Sequence, residues 1–122
     1  MNAINWFEIP AANFPRAVAF YERILAVKMT IDDSFPGMKM ALFPYEDPGV
    51  GGCVIEFDPL RPHADGVRIY LNGGDDLAPI LARVEASGGR VVMPKMLIRE
   101  DIGCIAMFSD SEGNIVGLHS PH

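Results

Sequence analysis

The side chains that could carry chemistry in this chain are three histidines, two cysteines and a cluster of acidic and amide residues near the C-terminus. His119 and His122 stand three apart, a ligand spacing that works on a helix, but Pro121 between them argues against one. His122 is therefore read as a rim residue, and His119 stays open between a rim position and a chemical one. His63 falls within Arg61-Pro62-His63-Ala64-Asp65, a loop composition in which an exposed ring without a role is expected. Asp110, Glu112 and Asn114 alternate like the opening of a calcium loop, yet Gly113 comes one place early and no closing Glu follows. A hairpin turn is the better reading. Cys53 and Cys104 are too few and too far apart for a disulfide framework or a zinc knuckle, so two buried thiols are expected. No Ser-His-Asp or Cys-His set has the flanking context of a nucleophile, and no Gly-rich strand-to-helix loop offers a phosphate cradle. The methionines read as core fillers.

The elements that must position these residues are legible as two similar runs. Residues 4–10 alternate as a half-buried strand, placing Trp6 and Glu8 on one face and Phe7 and Ile9 on the other. Asn13 is the expected N-cap of a helix with Pro15 in its first turn and an apolar stripe of Ala17, Phe20, Tyr21, Ile24 and Leu25. Strands over 27–31, 39–44 and 52–58 follow, divided by turn-rich pieces. Residues 59–65 form a polar, Pro-containing connection, and then the order restarts. Residues 67–72 alternate with Arg68, Tyr70 and Asn72 on one face. Asp75 or Asp76 caps a second helix with the stripe Leu77, Ile80, Leu81 and Val84, and Gly88-Gly89 supply its left-handed stop. Strands over 90–93, 102–108 and 114–119 complete the second half. Sliding Asn13 onto Asp76 superposes the two helix stripes, so the halves repeat in pattern with little identity.

At 122 residues, 49% hydrophobic and 21% charged, the chain has the composition of one globular domain. The expected organisation is a single domain over 1–122, with modules over about 1–58 and 66–122. The N-terminal residues lack the basic-then-apolar order of a signal peptide, and no run of ~18 apolar residues occurs, so a cytoplasmic location and no membrane partner are expected. A net charge of −6 disfavours nucleic acid, because phosphate binding relies on clustered Lys and Arg. Solubility accounts for the acidic balance.

Phe7-Glu8-Ile9-Pro10, the phrase Arg16-Ala17-Val18-Ala19-Phe20-Tyr21-Glu22, the phrase Ala82-Arg83-Val84-Glu85-Ala86-Ser87-Gly88-Gly89 and the turn Asp110-Ser111-Glu112-Gly113-Asn114 occur in that order. Together they resemble the vicinal-oxygen-chelate superfamily, which includes glyoxalase I, bleomycin-resistance proteins, fosfomycin-resistance enzymes and extradiol dioxygenases. The resemblance implies an α+β fold: two βαβββ modules form curved mixed sheets around a cleft, with the helices outside. It also implies a homodimer. In catalytic members the cleft holds a divalent metal on His, Gln or Glu from the first and last strand of each module. Carried onto this sequence, those places fall on Trp6, Glu56, Arg68 or Ile69, and Gly117. Of these, Glu56 alone can bind a metal, since indole offers no lone pair, guanidinium is a fixed cation and glycine has no side chain.

The usual metal site is therefore read as lost, and no cofactor is expected. The leading expectation is a small-molecule ligand in a metal-free cleft. There Trp6 and Tyr70 offer stacking faces, Arg68 takes an anionic group, Glu8 or Glu56 takes a donor, and His119, two residues after Gly117, shares its face. A plainer alternative is that Glu8 and Arg68 pair with each other. Two further classes stay open: a metal-dependent glyoxalase-like lyase or dioxygenase with a rearranged site, using Glu56 and His119 as catalytic groups with Glu8, and an antibiotic-sequestering protein.

Overall fold

The computed structural model describes residues 2–122, so Met1 lies outside the described residues. The chain runs β1 (Trp6–Pro10), α1 (Phe14–Leu25), β2 (Thr30–Asp32), β3 (Met38–Leu42) and β4 (Gly51–Phe57). It then repeats that order as β5 (Tyr70–Asn72), α2 (Ala78–Val84), β6 (Arg90–Arg99), β7 (Gly103–Ser109) and β8 (Ile115–Ser120). Each half forms its own four-stranded mixed sheet, ordered β1-β4-β3-β2 and β5-β8-β7-β6, with β1 parallel to β4 and β5 parallel to β8.

Helix α1 begins as its sequence dictates. Asn13 is extended and its side chain accepts the Arg16 N–H at 3.1 Å, satisfying one of the orphan donors of the first turn. The helix ends on Ala26 in the left-handed region, at φ 54°, a conformation more often given to glycine. Beyond it, the Glu22 carboxylate accepts the Met29 N–H at 2.8 Å and ties the chain back to the helix. The strand expected over 27–31 accordingly starts only at Thr30. Helix α2 is entered through Asp76, whose carboxylate accepts the Ala78 N–H at 3.0 Å, and it tightens into a 3-10 turn over Glu85–Ser87 before the expected left-handed Gly88.

Two strands of the second half depart from their expected lengths. In the second half the first strand shrinks to Tyr70–Asn72, because Val67 is 96% exposed and has no sheet to face. β6 runs on through Pro94 to Arg99. Proline is tolerated there because β6 is an edge strand, where a missing N–H breaks no ladder on the open side.

The stripe of α1 explains how the halves join. Phe14, Ala17, Phe20, Tyr21 and Ile24 are all buried. The Tyr21 ring meets Phe43, just beyond β3, at 5.6 Å, and the Phe20 ring meets Phe108 of β7 at 5.8 Å, so one helix touches both halves. Arg83 of α2 donates to the Ile24 carbonyl from both Nε and Nη2, tying the helices together. Ile9, Ala41 and Val54 from the first sheet and Leu71, Ala106, Val116 and Leu118 from the second enter the same apolar cluster. Each large side chain buried there is worth roughly 1.5–3 kcal/mol relative to exposure. The inner faces of both sheets are spent on this shared core, which leaves their outer faces looking away from it.

Candidate functional site

Strand alternation and pairing register decide which side chains share the outer faces. Along β1, Ile9 points inward while Trp6 and Glu8 point outward, Trp6 being 42% exposed. The parallel register sets Gly51 beside Trp6, Cys53 beside Glu8 and Ile55 beside Pro10, so these residues of β4 share the outer face. Gly52, Val54 and Glu56 then lie on the inner face with Phe7 and Ile9. This corrects the expectation for Glu56. Its Oε1 accepts the Phe14 N–H at 3.1 Å and its Oε2 lies 3.8 Å from Lys39 Nζ, so the carboxylate caps the start of α1. The fold does not bring it together with Trp6 and Glu8.

An aromatic residue that sequence reasoning missed completes the first patch. Tyr45 leaves the β3–β4 connection and lays its ring over Gly51, where a Cβ would come within 2.5 Å of the ring. It meets Trp6 edge to face at 6.4 Å and 76°. The signal available beforehand was the Gly51-Gly52 pair inside a strand, since glycine there marks close approach by another group. Cys53, buried beneath this patch, has its thiol pushed up to about 12, by burial first and by the charge of Glu8 second.

On the second sheet Tyr70 pairs with Gly117, and the Tyr70 ring fills the space a Gly117 side chain would take. Tyr70 is 45% exposed. His119 shares this face, opposite Asn72 and Ile105, as its spacing from Gly117 implies. Its Nε2 lies 2.5 Å from the Ile102 carbonyl oxygen. A carbonyl only accepts, so this contact engages Nε2 as a donor and leaves Nδ1 as the ring nitrogen with a lone pair. Arg68 donates from Nη1 to the Ile115 carbonyl at 2.9 Å. The ion pairs among the described residues do not include one between Arg68 and Glu8. Ile69, the other residue at this place, packs against the core.

The places where the resemblance puts a metal are thus held by an indole, an inward-turned carboxylate, an arginine bound to backbone and a glycine. This donor set does not fit a divalent ion. Among the described residues no three His, Cys, Asp or Glu side chains converge as a metal site would require.

Two hollows adjoin the site. One of about 720 Å³ lies against the start of α1, lined by Phe35, Met38, Lys39, Glu56, Phe57 and Arg61 among others. Its charges are largely paired, Lys39 with Glu56 and Arg61 with Asp58 at 2.7 Å. A smaller groove of about 200 Å³ runs between the halves, with Glu8 on one wall and His63, Val67 and Ile115 on the other.

No protein-family model matches the sequence, and no curated protein matches it. Solved structures do. A glyoxylase/bleomycin resistance protein/dioxygenase domain from Frankia sp. EAN1pec superposes with a TM-score of 0.74 at 12% identity, covering 100% of this chain and 99% of that one. The vicinal-oxygen-chelate fold is the fold of this chain. A glyoxalase/bleomycin resistance protein from Streptomyces sp. CB03234 has the same fold at a TM-score of 0.71 and 24% identity, over 94% of this chain and 97% of that one. So does TnmS3, an antibiotic binding protein from the same organism, at a TM-score of 0.68 and 23% identity, over 100% and 98%. Two βαβββ modules, each with a mixed four-stranded sheet, make up the molecule. No described helix is long and apolar enough to cross a membrane.

Proposed function

We propose that this chain binds a small polar or aromatic molecule on the outer faces of its sheets, without the metal associated with its fold. The observation that carries this reading is the replacement of ligand-bearing positions by aromatic surface: Trp6 beside Gly51 under Tyr45, and Tyr70 over Gly117. Exposed rings seated on glycines give flat apolar surface with polar edges, the make-up of a small-molecule site.

Within one chain the outer faces meet only along the small groove between the halves, so a larger cleft lined by both needs a second copy of the chain. A homodimer in which Trp6 and Glu8 of one protomer face Tyr70 and His119 of its partner supplies it. The two buried free thiols suit a cytoplasmic location.

The test is metal analysis of protein isolated without chelators or affinity metals, together with its sedimentation mass. A metal-free dimer is the expected result. Stoichiometric zinc, nickel, manganese or iron retained after dialysis would overturn the reading and favour the lyase or dioxygenase alternative. A second reading, sequestration of an antibiotic, draws support from the likeness to TnmS3. Calorimetry that gives no heat with such compounds counts against it.

A further inference from the structure

Charge on the outer face of the first sheet is one-sided. The register places Trp6, Glu8 and Pro10 of β1, Gly51, Cys53, Ile55 and Phe57 of β4, Met38, Met40 and Leu42 of β3, and Thr30 and Asp32 of β2 on that face. Its charged side chains are both carboxylates, and no Lys or Arg of these strands stands there. Asp32 is already engaged, accepting the Ser34 N–H at 3.0 Å and the Ser34 hydroxyl at 2.6 Å. Glu8 takes part in none of the side-chain hydrogen bonds or ion pairs formed among the described residues. The cations that could have answered it are held elsewhere: Lys39 by Glu56, Arg61 by Asp58, Arg68 by the Ile115 carbonyl. Glu8 is two residues from Trp6 on one strand face, a separation of about 7 Å, and Trp6 is braced edge to face by Tyr45.

We infer that the face built by Trp6, Tyr45 and Glu8 takes an organic cation, an ammonium group carried on a flat aromatic body. This rests on the metal-free binding reading and narrows its ligand class. An aromatic ring pair accepts the flat body and the ammonium through the ring quadrupole, while the Glu8 carboxylate takes its N–H donors. An anionic ligand would meet Glu8 with no cation beside it on this sheet and is disfavoured. The walls of the neighbouring groove add a second carboxylate, Asp65, and its Arg61 is paired with Asp58, so the surroundings hold the same sign.

The test uses three probes with one body and different heads: 2-phenylethylammonium, 2-phenylethanol and phenylacetate. Trp6 is the only tryptophan in the chain, so its emission reports binding at this face, and calorimetry supplies the affinity. The ammonium is expected to bind about tenfold more tightly than the alcohol, with the carboxylate weakest. Glu8→Gln, an exposed and near-isosteric change, brings the ammonium to the level of the alcohol and leaves the alcohol unchanged, with an unaltered melting temperature. Tyr45→Ala weakens both. If alcohol and ammonium bind wild type equally, or Glu8→Gln preserves the difference, the cation assignment falls while aromatic binding stands. If none of the three alters Trp6 emission, both fall.

Discussion

Replacing Tyr21 by Phe removes one hydroxyl from the joint between the halves. Tyr21 is fully buried on α1, and its hydroxyl donates to Asp110 Oδ2 at 2.8 Å, at the end of β7. Asp110 also accepts Asn114 Nδ2 on the same oxygen, and the Glu112 and Asn114 N–H groups on the other, each at 2.9 Å. A hydrogen bond to a charged group contributes about 1.5–3 kcal/mol, and three remaining donors cushion the loss, so the expected cost is about 2 kcal/mol. With an unfolding entropy of about 2.1 cal/mol/K per residue, the melting temperature falls by about 8 °C. The cost also depends on pH. Burial raises the Asp110 carboxyl above its usual value, although the hydrogen bonds from Asn114, Tyr21 and the turn amides hold it back. A raised folded pKa means that this group's contribution to stability weakens as pH rises through it. Tyr21→Phe removes one of the restraining bonds and raises that pKa further, so the penalty is full at neutral pH and shrinks as acid protonates Asp110 in the variant. Urea unfolding at neutral pH and in mild acid measures both effects. A neutral-pH deficit under about 0.5 kcal/mol, or one that is the same at both pH values, would refute the assignment of this bond to a buried carboxylate.

Four other expectations follow from the structure. Glu112→Ala should cost about 2–3 kcal/mol, because its carboxylate accepts the Ala12 and Asn13 N–H groups and the Arg16 guanidinium. Burial alone would raise Glu112, but the bonds from Arg16, Asn13 and Ser111 leave it below its usual value. Its contribution is present above the unfolded pKa and lost as pH falls through the folded one, so variant and wild type should converge in acid melts. Gly103→Ala should cost about 2–3 kcal/mol, since φ is 105° and the new Cβ would strike the Ser120 carbonyl. Gly88→Ala, with φ 104° and open space, should cost only about 1–2 kcal/mol, and equal costs in chemical denaturation would remove the steric part of the argument. Both thiols are buried and Cys53 is raised to about 12, so neither should react with a thiol reagent at neutral pH until the chain unfolds; stoichiometric labelling of the folded protein would contradict this.

What could be read in advance was what depends on near neighbours in the chain. The Asn13 cap, the outward pair Trp6 and Glu8, the stop at Gly88 and the turn at Asp110 each follow from a few adjacent residues. The face of Glu56 does not, because it depends on the register of β4 against a strand more than 40 positions earlier, and a slip of one residue exchanges the faces. Tyr45 escaped notice for a related reason: it belongs to no strand, and reaches the site only because Gly51 leaves room above the sheet. Arg68 and His119 were visible as residues of the outer face, but their backbone partners, Ile115 and Ile102, come from neighbouring strands and turns. The length of β6 was hidden by Pro94, whose tolerance depends on an edge that only the finished sheet defines.

The division between inner and outer faces explains how a chain can hold this fold with a donor set that does not suit a metal. Inner-face residues are held by the shared core, where one lost methylene is felt. Outer-face residues answer only to the pleat and to each other. In both halves the first strand sets an aromatic residue beside a glycine on its parallel neighbour, Trp6 with Gly51 and Tyr70 with Gly117. A ring covers each glycine, Tyr45 in the first half and Tyr70 itself in the second. A carboxylate placed at Gly117 would therefore add a donor and displace the Tyr70 ring in one step, while Trp6 and Arg68 would still supply no ligand. The glycine and the ring above it form one unit, and building a metal site there would have to change both together with the opposite strand.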